Sequence, residues 1–109
     1  MSTQDHPISE LFRLAAETWV DLDAAARMHE ELKTAFLEKM KNDMGEKDLP
    51  DSHRERIVKS STEWKDYIIK MVRLRKEANR ARVQLEYLRM KSWERQSTEA
   101  NRRAEQRMP

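Results

Sequence analysis

From Asp51 to Met108 the chain runs without a glycine or a proline. Glycine weakens helices and strands, and proline breaks them, so this stretch is free to form regular structure throughout. Its residues are mostly Arg, Lys, Glu, Ala, Leu and Met, all good helix formers. The run opens with Ser52-His53-Arg54-Glu55. In this pattern the Ser hydroxyl accepts from the Glu55 N–H and the Glu carboxylate reaches back to the Ser52 N–H. Helix over 52–107 would span roughly 84 Å at ~1.5 Å per residue. A rod of this kind offers no ordinary enzyme pocket. It predicts a coiled coil or helical hairpin that works by holding something else.

Apolar spacing supports this reading. Pro7 suits a first helical turn. After it, Ile8, Phe12, Ala15, Trp19, Leu22 and Ala26 recur in steps of three and four, and the stripe resumes at Leu37, Met40 and Met44. This is the period of an amphipathic helix over about 7–44. Gly45 supplies a stop, with Lys39 and Lys41 near the negative helix end. The turn falls at 45–51, where the chain reads Gly-Glu-Lys-Asp-Leu-Pro-Asp. The second helix, about 52–107, carries Ile57, Ser61, Trp64, Ile68, Met71, Leu74, Ala78, Ala81, Leu85, Leu88 and Ser92. These follow a heptad with one three-residue slip at Met71–Leu74. From 94 to 109 the chain is polar on nearly every side and forms an overhang.

The expected architecture is all-α: one antiparallel two-helix hairpin over 1–109, coiled-coil-like, with a longer second helix. Folding it about residue 48 sets Trp19 against Ala78, Ala26 against Met71 and Phe12 against Leu85, large against small. Asp23 and Glu30 intrude on one apolar stripe, and Arg75 and Arg82 on the other. Asp23 then lies near Arg75, as an ion pair that sets register. Two helices with 38% hydrophobic residues bury little core. The hairpin is therefore expected to be completed by oligomerisation, as a dimer or higher helical bundle.

Enzymatic signals are weak. His6, His29 and His53 lie apart, without Glu-x-x-His or His-Glu-x-x-His spacing, so no metal and no cofactor is expected. The serines and threonines have no partnered histidine, and there is no Gly-rich phosphate loop. No catalytic residue and no small-molecule substrate is expected. With no cysteine there is no disulfide or thiolate metal site. The N-terminus lacks a signal-peptide pattern and no apolar run reaches a membrane span, so a cytoplasmic protein is the expectation.

Charge is divided unevenly. Residues 1–51 hold 6 Lys/Arg and 12 Asp/Glu, a net of −6, and residues 52–109 hold 16 and 8, a net of +8. An acidic helix can pair with a basic one, or the excess can meet a polyanion. Arg73, Lys76, Arg80 and Lys91 fall on the face away from the apolar stripe, with Tyr87 among them. The tail adds Arg95, Arg102, Arg103 and Arg107. Such a face could track a phosphate backbone, or it could be a solvated coiled-coil face. Trp19 and Trp64 read as core. Leu85, Tyr87, Leu88 and Trp93 are the candidate partner or oligomer interface, Trp93 as an exposed anchor.

The stretch Arg80-Ala81-Arg82-Val83-Gln84-Leu85-Glu86-Tyr87-Leu88-Arg89-Met90, with Trp93-Glu94-Arg95-Gln96-Ser97-Thr98-Glu99-Ala100-Asn101-Arg102-Arg103 after it, resembles the C-terminal part of small helical proteins of bacterial phages and prophages. The resemblance implies an accessory protein near replication or recombination and implies no site residues. In general shape the chain also resembles two-helix secretion-system proteins of its size. It lacks their Trp-x-Gly turn, because Asp43-Met44 precede Gly45. Three functions follow: a non-enzymatic, self-associating interaction or adaptor module; a nucleic-acid-binding accessory protein using the basic face; or a chaperone-like helper of another helical protein.

Overall fold

The computed structural model describes residues 8–45 and 48–107. Pro7, expected to open the first helix, lies outside them. The described chain is all-α and contains no strand. Four helices follow in order: α1 (Ile8–Glu31), α2 (Lys33–Asp43), α3 (Asp51–Lys59) and α4 (Thr62–Arg107). The described residues divide into two compact units, one of 8–21 and 79–107, the other of 22–45 and 48–78 (the 22–78 unit).

The expected apolar stripes are half-buried or buried along most of their length. Ile8, Phe12, Ala15, Trp19, Leu22, Leu37, Met40 and Met44 are half-buried, and Ala26 is buried. On the other side Trp64 and Ala78 are buried, and Ile68, Met71, Leu74, Ala81, Leu85, Leu88 and Ser92 are half-buried. Ile57 departs from the pattern: it is exposed and its neighbour Val58 takes the buried place.

Two interruptions depart from the expected pair of unbroken helices. The first is at Leu32, between α1 and α2. Leu32 N–H still bonds to Met28 C=O (3.0 Å) and Phe36 N–H to Leu32 C=O (2.9 Å), so the break is a one-residue turn rather than a loop. Its cause lies in the second unit's packing. The Tyr67 hydroxyl donates to the His29 carbonyl, which in a regular helix would accept from Lys33 N–H. A side chain entering the ladder is a standard cause of a helix break.

The second interruption is at Ser60-Ser61. The Ser60 hydroxyl donates to Arg56 C=O (2.9 Å) and the Ser61 hydroxyl to Val58 C=O. Ser61 Oγ also accepts from the Trp64 N–H at 3.2 Å, capping the start of α4. Serine competes with backbone partners in this way, which ends one helix and begins the next. The capping pattern expected at Ser52–Glu55 does not form. Pro50 is the N-cap of α3, with no side-chain cap, and Ser52 lies inside the first turn. Pro50 C=O instead accepts from His53 (3.0 Å) and Arg54 (3.1 Å). Gly45 ends the preceding segment with φ of 69°, a left-handed conformation that favours glycine.

The 22–78 unit is held by contacts between its earlier and later helices. His29 stacks on Tyr67 with ring centroids 3.9 Å apart, and Phe36 stacks on Tyr67 at 4.3 Å. Trp64, 7% exposed, lies 6.1 Å from both Phe36 and Tyr67. The hydrogen bonding is reciprocal. His29 Nε2 lies 3.1 Å from the Tyr67 carbonyl, which can only accept, so that nitrogen carries the proton. At the far end Lys41, 4% exposed, binds Glu38 at 3.0 Å and Asp51 at 2.7 Å. These bonds to Asp51 and Glu38 raise the Lys41 pKa above its ordinary value, and the Lys41 bond lowers that of Asp51. The cation thus joins α2 to the N-terminus of α3, where an acid also favours the helix dipole.

Arg75 joins α4 to α1. Its Nη1 lies 2.9 Å from Asp23 Oδ1; its Nε and Nη2 grip Glu30 at 2.9 and 2.6 Å. The expected pairing of Asp23 with Arg75 is present, with Glu30 as a second acceptor. Hydrogen bonds from Arg75 hold both carboxyls below their ordinary pKa. Arg82 does not share this role. It is exposed and lies 3.4 Å from Glu86 on its own helix.

Candidate interaction surface

Burial within the described residues is sparse. The buried hydrophobic residues are Ala26, Val58, Trp64 and Ala78. Against them stand a dozen large hydrophobic side chains that face solvent, including Val20, Met28, Leu32, Ile69, Val72, Val83, Tyr87, Met90 and Trp93. Scattered exposed apolar residues are ordinary, but a helix that repeats them on one face presents a contact surface.

In the unit of residues 8–21 and 79–107, α4 carries two separate stripes. Ala81, Leu85, Leu88 and Ser92 are half-buried and face inward. Val83, Tyr87 and Met90 are exposed by 67%, 52% and 63% and lie on another side of the helix. The four residues expected as one interface are therefore split. Leu85 and Leu88 belong to the inner packing, while Tyr87 and Trp93 face out. Trp93 is 70% exposed, the largest apolar side chain left in solvent. It borders a shallow cavity of about 580 Å³ lined by Ser9, Phe12, Arg89, Met90 and Trp93, among others. The lysine of the next turn, Lys91, sets its ammonium 5.8 Å from the Tyr87 ring centroid.

The basic residues are arranged as the periodicity predicts. In the 22–78 unit Arg73 and Lys76 are exposed, one turn apart on α4. A second hollow, of about 360 Å³, lies against Asp66, Ile69, Lys70, Arg73 and Leu74. In the other unit Arg80, Lys91, Arg95, Arg102 and Arg103 are exposed. Lys91 and Arg95 make only loose contacts with Glu94 and Glu99, each at 3.7 Å. Arg73, Lys76, Arg80, Arg102 and Arg103 make no ion pair among the described residues. Beyond residue 94, α4 stays helical to Arg107 and is exposed throughout except at Ser97.

The His29–Tyr67 pair and the second grip of Arg75 on Glu30 were not anticipated. The signal lay in residues beside the apolar stripe. Tyr67 precedes Ile68, and His29-Glu30 fills the gap between Ala26 and Leu37. Among the described residues no group of three or more His, Asp or Glu is placed to hold a metal ion, and no helix is long and apolar enough to cross a membrane. Compared with family models, with curated proteins and with solved structures, the chain gives no match.

Proposed function

We propose that this protein is a non-enzymatic helical interaction module that self-associates, and that its helices pair as an antiparallel hairpin whose core is completed by other copies. The observation that carries this reading is the balance of apolar surface. Among the described residues the buried hydrophobics are one valine, one tryptophan and two alanines, while residues as large as Trp93, Tyr87 and Met90 face water. Burial stabilises by about 25 cal/mol per Å² of apolar surface, so association recovers what folding of one chain leaves unused. The hairpin is supported by contacts whose partners run in opposite order along the chain: Asp23 with Arg75, His29 with Tyr67, Phe36 with Trp64, and Lys41 with Asp51. Light scattering on the purified chain at micromolar concentration tests this. A mass that is a multiple of 13.1 kDa is expected. A mass of one chain at every concentration rejects self-association.

A second reading rests on Arg73 and Lys76, exposed one turn apart in the 22–78 unit and without an ion pair among the described residues. They fit a phosphate backbone, in keeping with the resemblance to small phage helical proteins. Anisotropy with labelled single- and double-stranded DNA tests it at low and physiological salt. Binding should fall with log salt at a slope near ~0.9 per phosphate neutralised on duplex. Absence of binding at low salt would end this reading.

A further inference from the structure

The exposed face of α4 between Arg80 and Glu94 is complementary to itself. Arg80, Val83, Tyr87, Met90 and Glu94 follow one another in steps of three, four, three and four, so they share one side of the helix. All five are exposed. A positive residue stands at one end, a negative one at the other, and three apolar residues lie between. Turned end over end about Tyr87, the stripe superimposes its charges with opposite sign. Arg80 meets Glu94 and Tyr87 meets Tyr87, while Val83, four residues before Tyr87, and Met90, three after it, come within one residue of facing each other.

We infer that this stripe is the dimer contact, with α4 of one copy lying antiparallel on α4 of a second, and Tyr87 at the two-fold axis. This deepens the proposed self-association and rests on it. A two-fold contact uses the same patch twice, so each end-to-end charge pair forms twice. Parallel pairing is disfavoured, since it sets Arg80 against Arg80 and Glu94 against Glu94. An unrelated helix would need the order acid, apolar, base at matching spacing, and a second copy already has it. The charges are also uncommitted within the chain. Arg80 makes no ion pair among the described residues, and Glu94 reaches only Lys91, at 3.7 Å. Trp93, beside the stripe, adds a large anchor at its edge, the kind of residue enriched in interface hot spots.

The chain has no cysteine, so introduced cysteines report geometry without ambiguity. Arg80 and Glu94 are separated by roughly 21 Å along the helix at ~1.5 Å per residue, far beyond disulfide reach. Under mild oxidation, Tyr87→Cys should cross-link to itself. Arg80→Cys alone and Glu94→Cys alone should not, and the double variant Arg80→Cys/Glu94→Cys should, with Tyr87 kept in place. Glu94→Arg should weaken the dimer about tenfold at unchanged helix content by circular dichroism. Adding Arg80→Glu should restore it. Equal cross-linking by all three single variants would mean a parallel pairing. A dimer mass with no cross-link at these positions would mean another surface. Either result overturns this inference and leaves self-association standing. A monomer at every concentration removes both.

Discussion

Replacing Trp64 by alanine is the sharpest test of what holds the 22–78 unit together. The indole is 7% exposed, stacks 6.1 Å from both Phe36 and Tyr67, and has the Lys33 ammonium over its ring, 6.0 Å from the centroid. Truncating a buried aromatic costs about 3–5 kcal/mol. A small domain has a total stability of about 5–15 kcal/mol, so the variant loses from a fifth of its stability to all of it. At about 4–8 °C per kcal/mol for a domain of this size, the melting temperature should fall by ~12 °C or more. Far-ultraviolet circular dichroism during urea and thermal unfolding reads this directly. Trp93→Ala, on the same helix, is the control. Its side chain is 70% exposed, so at a concentration where the chain is monomeric its cost should stay within about 0.5 kcal/mol. If Trp64→Ala unfolds at the same urea concentration as the wild type, or if Trp93→Ala costs as much, the aromatic stack is not the core and the packing argument fails.

Three further outcomes are expected. Tyr67→Phe keeps the ring between His29 and Phe36 but removes the donor to the His29 carbonyl, and should cost about 1–3 kcal/mol in urea unfolding because a part-buried acceptor is left unpaired. Gly45→Ala meets no atom within 4 Å, so its cost is that of the left-handed backbone alone, about 1–2 kcal/mol; an unchanged melting temperature would contradict it. Asp23 and Glu30 have folded pKa values below their ordinary 3.8 and 4.5, chiefly through hydrogen bonds from Arg75. Their stabilisation is complete above those ordinary values and is lost as pH falls through the lower folded ones. The melting temperature should therefore drop on acidification below about pH 4.5, and Arg75→Gln should lower it at neutral pH and flatten the acid limb.

The inner packing was legible because it depends on period. Residues three and four apart share a helix face whatever their partner, so Trp64, Ala78 and Ala26 could be named as core from spacing alone. Asp23 and Arg75 were legible because charges on an apolar stripe need each other. The break at Leu32 was not legible, since leucine is a good helix former. The cause is a hydroxyl on Tyr67, remote in sequence, that takes the His29 carbonyl. The break at Ser60-Ser61 leaves a local trace, two serines in succession, but Ser61 also fits the heptad, which masks it. The candidate interface was legible in part. Tyr87 and Trp93 do face out, while Leu85 and Leu88 fill the inner stripe, because one long helix carries two apolar stripes whose residues alternate in the sequence.

In the proposed function this chain finishes its core with copies of itself. Sedimentation equilibrium across the low to high micromolar range tests it most directly. A reversible, concentration-dependent rise from the 13.1 kDa chain to a multiple of it is expected. That rise should persist in high salt, where apolar contacts hold, and weaken in Tyr87→Glu. A single 13.1 kDa species at all concentrations, with intact helix content, would contradict the claim.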